Sequence, residues 1–294
     1  MPELNPLRYL EAATAVGKMA VSDWAGLRHG LPGDDLDGWD PDYIRRTLPA
    51  MSTLLNGYFR GEVRGLENIP ADGPALLVGN HSGGTLIADT FVLATKFYER
   101  FGPDRRFHQL AHDVAARLPG LGIRQYGVVA ASHDNARRAF ECGAPVLVYP
   151  GGDHETYRPT WESAQIDFDG RKGFIRLALE QNVPIVPVVA IGGQETALFV
   201  TRGKRLAELT GWSKLTRIKV LPLQIAPPFG VTLLDLPLRM PLPAKITVEV
   251  MPPIDLTERF GADPDPDHVY DEVTGEMQDT LSDLADERTL PLAG

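Results

Sequence analysis

The sequence predicts an α/β fold: a mainly parallel sheet flanked by helices, with an N-terminal two-helix segment and a C-terminal helix. From residue 61 onward, short and almost continuous apolar runs alternate with helical patterns, which is typical of a parallel sheet buried on both faces. The 29 glycines and 25 prolines are scattered without a period, which excludes collagen-like and coiled-coil chains. With 43% hydrophobic residues among 294, the chain has the composition of an ordinary globular protein.

Residues 1–60 are predicted to be an N-terminal segment of two amphipathic helices. In the first, residues 6–31, apolar side chains recur at a spacing of three to four. The second begins at Asp40-Pro41, an N-cap followed by a proline at the first helical position, and continues to about Tyr58. The two helices either pack on the core or form a hairpin that lies on lipid.

Residues 61–294 are predicted to form one α/β domain that ends in an acidic helix. Short apolar runs predict its strands, and patterns with the period of a helix, begun by capping residues such as Ser132 or Asp134, predict its helices. The predicted strands are residues 75–78, 127–131, 145–149, 184–191 and 245–250. The predicted helices are residues 85–101, 132–142, 170–181 and 267–287.

Charge is distributed unevenly along the chain. The net charge of −10 argues against a protein whose whole surface binds nucleic acid. Between residues 201 and 220, however, six basic residues stand against the single acid Glu208. This segment could meet phosphates or an anionic membrane surface, or it could be an ordinary solvated face. The basic residues are Arg202, Lys204, Arg205, Lys214, Arg217 and Lys219.

Cysteine content and hydropathy indicate a cytoplasmic protein. The single cysteine, Cys142, cannot form an internal disulfide, and the sequence lacks the Cys/His spacings of zinc sites. Residues 1–30 lack the pattern of a secretory signal, and no uninterrupted apolar stretch reaches the roughly 18 residues of a spanning helix. We therefore expect a cytoplasmic protein without a metal site, which meets a membrane only peripherally.

Two glycine-containing loops follow predicted strands. Residues 79–84 (GNHSGG) follow the strand at 75–78, and residues 149–155 (YPGGDHE) follow the strand that ends near residue 148. Sites in open α/β sheets form beyond the carboxyl ends of the strands. Each loop also places an imidazole beside two glycines, whose backbone N–H groups can approach a ligand closely. We therefore expect the functional site at these two loops.

Three interpretations of the first loop compete. A serine hydrolase elbow requires G-x-S-x-G, whereas this loop has G-x-x-S-G. A dinucleotide-binding loop requires G-x-G-x-x-G, which neither this loop nor the glycines near residue 120 satisfy. The third makes His81 a general base, because imidazole has an ordinary pKa of about 6.5 and is largely neutral near pH 7. Asp89 is the nearest carboxylate in sequence that can orient it.

The motifs follow one another in a characteristic order: Asn80-His81 after a strand, an acid on the next helix, and a later strand that ends in Pro-Gly-Gly. This order resembles that of the glycerolipid acyltransferases. Their signature, N-H-x-x-x-x-D, puts Leu86 at the expected acid position, and Asp89 stands three residues later. Either a bulge at the two glycines of the loop brings Asp89 back to His81, or another carboxylate, such as Glu155, serves.

The second loop resembles one branch of that superfamily. Its sequence Y-P-G-G-D-H-E replaces the common F-P-E-G-T-R, and with residues 171–179 (RKGFIRLAL) it is similar to the diacylglycerol acyltransferases. Residues 127–135 resemble the intermediate motif of the superfamily, with His133 where an arginine is commoner, and residues 183–188 resemble its final motif. The likeness spans about residues 61–256, with four motifs in the order of the superfamily.

The resemblance implies transfer of a fatty acyl group from acyl-CoA or acyl carrier protein to a hydroxyl of a lysophospholipid or diacylglycerol, without a covalent enzyme intermediate or a cofactor. In that reaction His81 is the base, and Asp89 or Glu155 is its acid partner. The candidates for oxyanion stabilisation are the backbone N–H groups of Gly83, Gly84, Gly151 and Gly152. The substrate-binding candidates are Asn80, Ser82, His133, His154, Arg171, Lys172 and Arg176.

Two other functions stay open at this point. The same framework could be an esterase or thioesterase with water as the acceptor, or a non-catalytic lipid-binding protein. The acceptor lipid, the length of the acyl chain, the choice between the two thioester donors and the oligomeric state are open as well.

Residues 227–243 are predicted to contribute to peripheral membrane binding. They contain one acid and one base, and their prolines disfavour a helix or a central strand. We therefore expect a long apolar surface loop, which fits a lipid surface better than it fits water. The alternative is that its apolar side chains pack back on the core; these are Val231, Leu233, Leu234 and Leu236.

Overall fold

The computed structural model describes residues 36–85, 87–112, 122–210, 219–233, 235 and 239–288, together with Thr14. The first predicted helix, at residues 6–31, thus lies almost wholly outside the described residues. The second predicted helix is confirmed as α1 (Pro41–Tyr58). It begins at Asp40, whose side chain accepts hydrogen bonds from the backbone N–H groups of Asp42 and Tyr43, at 2.9 Å each.

A seven-stranded sheet forms the centre of the protein. The described strands are β1 (Glu62–Arg64), β2 (Leu76–Gly79), β3 (His108–Ala111), β4 (Val128–Ala130), β5 (Val146–Val148), β6 (Ile185–Ile191), β7 (Leu198–Thr201), β8 (Leu223–Ala226), β9 (Gly230–Thr232) and β10 (Thr247–Val250). In the large sheet the strand order is β1-β10-β6-β2-β5-β3-β4, and every neighbouring pair is parallel except β10 and β6. The mainly parallel sheet predicted from the sequence is therefore confirmed.

Helices cover both faces of this sheet. Besides α1, the described helices are α2 (Ala88–Phe101), α3 (His133–Glu141), α4 (Gly152–Thr156), α5 (Gly173–Gln181), α6 (Lys204–Leu209), α7 (Leu256–Phe260) and α8 (Pro266–Asp286). One buried cluster packs α3, α5 and α8 on one face, and another packs α1 and α2 on the opposite face. Leu76 and Leu77 of β2 belong to different clusters, because successive side chains of a strand point to opposite faces.

Strands β7, β8 and β9 form a separate antiparallel sheet, which was not predicted from the sequence. The expectation of a long surface loop at residues 227–243 is therefore wrong in part. Pro227 and Pro228 lie in the turn between β8 and β9, so they leave both strands free to pair. Further along the same segment, Asp235 and Arg239 are buried.

The apolar side chains of this segment do not all return to the core. Val231 and Leu233 are exposed, which contradicts the alternative that they pack inward. Leu234 and Leu236 lie outside the described residues. Val231 pairs with Ile225, and Ile225 with Leu198, so one row of exposed apolar side chains crosses all three strands. We call this row, with its neighbours Phe229 and Leu233, the apolar face.

Candidate active site

The loop after β2 places His81 at the carboxyl end of the large sheet. Hydrogen bonds to its own backbone hold His81 there. Its N–H group donates to Glu155 Oε2 at 2.9 Å, and its carbonyl oxygen accepts from Arg158 Nη2 at 2.7 Å. Both of those side chains are fully buried, and they form an ion pair with 3.5 Å between Arg158 Nη1 and Glu155 Oε1. One buried ion pair thus binds both polar backbone atoms of His81.

The ring of His81 lies between two neighbours, Tyr149 and Asp89. It stacks on the ring of Tyr149, with 4.2 Å between the ring centroids and 15° between the planes. Its Nδ1 atom lies 3.9 Å from Asp89 Oδ2 and has no hydrogen-bond partner among the described residues. A Cβ atom at Gly79 would lie 2.6 Å from the Tyr149 ring, so the glycine that ends β2 makes room for this stack. The side chain of His81 stays 14% exposed.

Asp89 is buried at the start of α2 and is fixed by its own hydrogen bonds. Its Oδ2 atom accepts from the backbone N–H of Ser82 at 3.2 Å and from Ser82 Oγ at 3.0 Å, while Oδ1 accepts from the N–H of Thr90 at 2.8 Å. Between His81 and Asp89, Gly83 and Gly84 have φ values of 89° and 66°, which favour glycine. This turn gives the proximity that the bulge hypothesis requires.

The two candidate acids therefore occupy different places. Asp89 lies beside the imidazole ring, and Glu155 lies beneath the backbone of the same residue. Burial raises the pKa of Glu155, while Arg158 and the N–H groups of His81 and Asp167 act in the opposite direction. Burial also raises the pKa of the Tyr149 hydroxyl well above its ordinary value, and this hydroxyl lies 2.7 Å from Thr90 Oγ1. The site is thus a buried polar network with one partly exposed ring.

Three of the four glycines predicted to stabilise an oxyanion donate their N–H groups to the protein itself, which corrects that expectation for Gly83, Gly84 and Gly152. The N–H of Gly83 donates to Gln194 Oε1, that of Gly84 to the Thr156 carbonyl and that of Gly152 to the Tyr149 carbonyl, each at 3.1 Å. A Cβ atom at Gly151 would lie 2.5 Å from Glu155 Oε2, so this glycine makes space for the buried carboxylate. Buried backbone donors need partners, and in three of these four cases the protein supplies them.

Two predicted substrate-binding residues also serve the loop itself. Asn80 is fully buried and exchanges two hydrogen bonds with the backbone of Ala190 in β6, at 2.8 and 2.7 Å. Ser82 is buried and binds Asp89. Neither polar side chain is free for a ligand, because each already satisfies a buried group of the protein.

The remaining predicted residues are divided between the second loop and the helices. His154 is buried, with Nε2 2.5 Å from Asp167 Oδ2, and Arg171 donates to the carbonyls of residues 150 and 151 at 3.1 Å. Lys172 forms an ion pair with Asp267 at the start of α8. The two exposed members of the set are His133, the first residue of α3, and Arg176 on α5.

Some residues of this network were not predicted to belong to the site. For Tyr149 and Arg158 the sequence offered a clue, because Tyr149 directly precedes the Pro-Gly-Gly motif and Arg158 lies three residues after Glu155. Asp235 had none: its Oδ2 atom accepts from the N–H and hydroxyl groups of Thr85, 150 residues earlier in the chain.

Two further observations concern the described part of the chain only. There, no group of three or more His, Cys, Asp or Glu side chains is arranged to hold a metal ion. None of the helices in that part is long and apolar enough to cross a bilayer.

The chain is similar to a known family and to several known proteins. The family model described as Acyltransferase matches residues 60–191. An uncharacterised protein of Mycobacterium tuberculosis is 31% identical over 261 residues, which are 87% of this chain and 70% of that protein. A Bos taurus protein named DGAT1/2-independent enzyme synthesizing storage lipids is 29% identical over 154 residues, which are 50% of this chain and 43% of that protein.

One solved structure extends the likeness to nearly the whole chain. The crystal structure of the 1-acyl-sn-glycerophosphate (LPA) acyltransferase, PlsC, from Thermotoga maritima matches with a TM-score of 0.55 and 16% sequence identity. The match covers 97% of this chain and 98% of that one. At this level of identity the likeness is one of fold.

Proposed function

The chain belongs to the acyltransferase family, and on this premise we propose that it transfers a fatty acyl group from a thioester donor to the hydroxyl group of a glycerolipid, with His81 as the general base. The observation that carries this proposal is the geometry at His81. A partly exposed ring at the carboxyl end of the central sheet lies beside the buried carboxylate of Asp89, 3.9 Å from Nδ1.

The position of Asp89 suggests which ring nitrogen reacts. A carboxylate beside Nδ1 favours the neutral tautomer that carries its proton there, and Nε2 is then free to accept a proton. The hydroxyl of the acceptor gives its proton to Nε2 while its oxygen attacks the thioester carbonyl. When the tetrahedral intermediate collapses, the C–S bond breaks and the imidazolium returns the proton to the leaving thiolate. General-base help of this kind is worth about 10²–10⁴-fold.

In this mechanism Asp89 is the acid partner of His81, and Glu155 is a positioning residue. Glu155 and Arg158 hold the backbone of His81, and Tyr149 restricts its ring. Such support matters because a catalytic group acts efficiently only within a few tenths of an ångström of its productive place.

The class of substrate is inferred from the relatives. The names of the Bos taurus and Thermotoga maritima proteins refer to storage lipids and to 1-acyl-sn-glycerophosphate. We infer a lysophospholipid or diacylglycerol as the acceptor here. Acyl-CoA and acyl carrier protein present the same thioester to the base, so the mechanism is unchanged by the choice of donor.

We also propose that the protein works at a membrane surface from the cytoplasmic side. The support is the apolar face, where Leu198, Ile225 and Val231 are 43%, 39% and 66% exposed in one row across three strands. A contiguous apolar surface of this kind fits a lipid surface better than it fits water. The acceptor lipid would then reach His81 from the bilayer.

One assay tests the function. The purified protein is incubated with radiolabelled acyl-CoA and a panel of lysophospholipids and diacylglycerols, and the products are separated by chromatography. We expect labelled lipid from the wild type and at least a 10²-fold lower rate from His81→Ala. His268→Ala, which alters an exposed histidine of α8, is the matched control and should stay within about twofold.

Other outcomes are equally informative. Labelled free fatty acid without labelled lipid would indicate an esterase or thioesterase, and no product at all would indicate a lipid-binding protein. A His81→Ala variant with a tenth of the wild-type rate would refute the general base.

A further inference from the structure

The segment after β9 sends two opposite charges into the interior. Asp235 and Arg239 each have side chains only 1% exposed, and Arg239 Nε lies 2.8 Å from Asp235 Oδ1. Burying such a pair costs much hydration energy, so it persists only where further hydrogen bonds satisfy both groups. The partners in those further hydrogen bonds indicate the role of the pair.

One end of the pair binds the turn that follows His81. Asp235 Oδ2 accepts from the backbone N–H of Thr85 and from Thr85 Oγ1, the latter at 2.9 Å. Arg239 Nη2 donates to the carbonyl oxygen of Gly83 at 2.5 Å. Between these residues, a Cβ atom at Gly84 would lie 2.1 Å from Asp235 Oδ2, so only glycine fits against the carboxylate. The pair therefore forms hydrogen bonds with the turn on both sides of Gly84.

The other end of the pair binds the small sheet. Arg239 Nη1 donates to the carbonyl oxygen of Thr196, two residues before β7, at 3.1 Å. Gln224 in β8 donates from Nε2 to Asp235 Oδ1 at 2.9 Å. The turn beside the base is thus joined through two side chains to the sheet that carries the apolar face.

The same segment also presents apolar side chains outward. Leu233, two residues before Asp235, is 52% exposed, and Met240, directly after Arg239, is 60% exposed. Each buried charge thus has an exposed apolar residue within two positions of it. The exposed apolar side chains and the turn that follows His81 are therefore parts of one connected structure.

We propose that Asp235 and Arg239 are positioning residues for acyl transfer, which hold the Gly83–Thr85 turn, and with it His81 and Asp89, at a fixed place relative to the apolar face. This inference rests on the proposed function. The turn lies between His81 and Asp89 in the chain, so its movement changes the 3.9 Å separation of Nδ1 and Oδ2. A displacement of about 1 Å in such a site can cost about 10²-fold in rate.

The test compares variants of the pair with a variant of a more exposed ion pair elsewhere. The pair is altered singly and together in Asp235→Asn, Arg239→Gln and the double variant, and Arg239→Lys keeps the charge while losing the forked donor group. The control is Arg64→Gln, whose arginine pairs with Glu62 and Glu287 at the far edge of the large sheet. Folding of each variant is checked by thermal unfolding, and rates are expressed per folded molecule.

Two readouts are taken on the full chain. Hydrogen exchange, followed by mass spectrometry of peptides that span residues 79–90, should become at least about tenfold faster in the pair variants and stay unchanged in the control. With acyl-CoA and vesicle-borne acceptor, kcat should fall about 10–100-fold with KM for the donor unchanged. The singles and the double variant should lose similar amounts, because the pair acts as one unit.

The outcomes separate this inference from the function on which it rests. Unchanged exchange in the turn overturns the inference, and so does faster exchange with a wild-type kcat. A fall in activity that follows only the loss of folded protein overturns it too, because a structural role alone explains that result. If the wild type itself forms no acylated lipid, the proposed function fails, while the exchange rates still decide whether the pair holds the turn.

Discussion

The two sheets of this protein use the same kinds of side chain for opposite purposes. In the large sheet, all seven residues of β6, from Ile185 to Ile191, are buried beneath helices on both faces. In the small sheet, Leu198, Ile225 and Val231 are exposed in one row. The difference lies in what covers each sheet, since both consist of strands rich in branched apolar residues.

Under the proposed function, the two sheets divide stability and binding between them. The large sheet buries its apolar surface and positions the loops of the candidate site at its carboxyl end, whereas the small sheet leaves an apolar surface exposed, which we propose binds lipid. The loop after β2 belongs to the first sheet and is bound by Asp235 and Arg239 near the second. Variants that alter one sheet and leave the other unchanged therefore test this division directly.

The largest effect is expected at the carboxyl end of the large sheet. Asp89→Asn should lower kcat about 10³-fold, because an amide beside Nδ1 no longer favours the tautomer in which Nε2 is the base. The exposed acid Asp134 on α3 supplies the control, and Asp134→Asn should stay within about twofold. Steady-state kinetics with acyl-CoA measures both. A silent Asp89→Asn with an inactive Glu155→Gln would reverse the roles of the two acids.

The next effect compares one residue type in the two sheets. Ile185→Ala in β6 leaves a cavity in a sealed core and should lower the free energy of unfolding by about 2–5 kcal/mol. Ile225→Ala in β8 removes a side chain that is 39% exposed and should cost less than about 1 kcal/mol. Urea unfolding measures both. Equal losses would mean that the small sheet is as tightly covered as the large one.

Low pH should destabilise the folded protein through His108, a buried histidine in β3 of the large sheet. Burial lowers the pKa of this histidine to about 4, against about 6.5 in the unfolded chain. The unfolded state therefore binds the proton first, and stability is lost as the pH falls from about 6.5 to about 4, by roughly 2–3 kcal/mol.

The measurement is the free energy of unfolding at pH 7 and pH 4.5. His108→Gln should reduce the difference between the two values, and His133→Gln, at an exposed histidine, should leave it unchanged. An unaltered pH dependence in His108→Gln would assign the acid sensitivity to other groups.

The smallest effect is expected on the small sheet. Replacing Leu198 and Val231 together by serine should lower flotation with anionic vesicles about tenfold, because two apolar side chains no longer leave water. The rate with detergent-dispersed acceptor should stay within about twofold. Leu209→Ser, at an exposed leucine of α6, is the control. Equal flotation of the double variant and the wild type would remove the apolar face from membrane binding.

The predicted elements that were confirmed carried local signals. Asp40 and Pro41 mark the start of α1 by capping chemistry alone, and the apolar run of β6 marks a strand buried on both faces. The superfamily predicted from the ordered motifs is confirmed by the family model and the relatives. The small sheet was missed for two reasons. Strand β7 pairs with β8 across more than twenty intervening residues, and Pro227 argued against a strand, although it lies in the turn that joins β8 to β9.

The site shows the same limit at the level of side chains. His81 and Asp89 were found because they are eight positions apart on one loop and the helix that follows it. Arg239 and Gln194 were missed because they reach that loop from distant parts of the chain. Asn80 was misassigned, since sequence alone cannot distinguish a polar residue that binds a ligand from one that satisfies its own buried backbone.

The pairing of β1 with β10 has a consequence for how the protein is made. Asn68 Nδ2, just after β1, donates to the carbonyl of Val250, 182 residues later. A ribosome adds about 5–20 residues per second, so β1 waits roughly 10–40 s for its partner strand. Until then, β6 presents an open edge on the nascent chain, where a chaperone could bind. Nascent chains stalled before β10 leaves the exit tunnel should be cleaved by a protease that spares chains stalled after it.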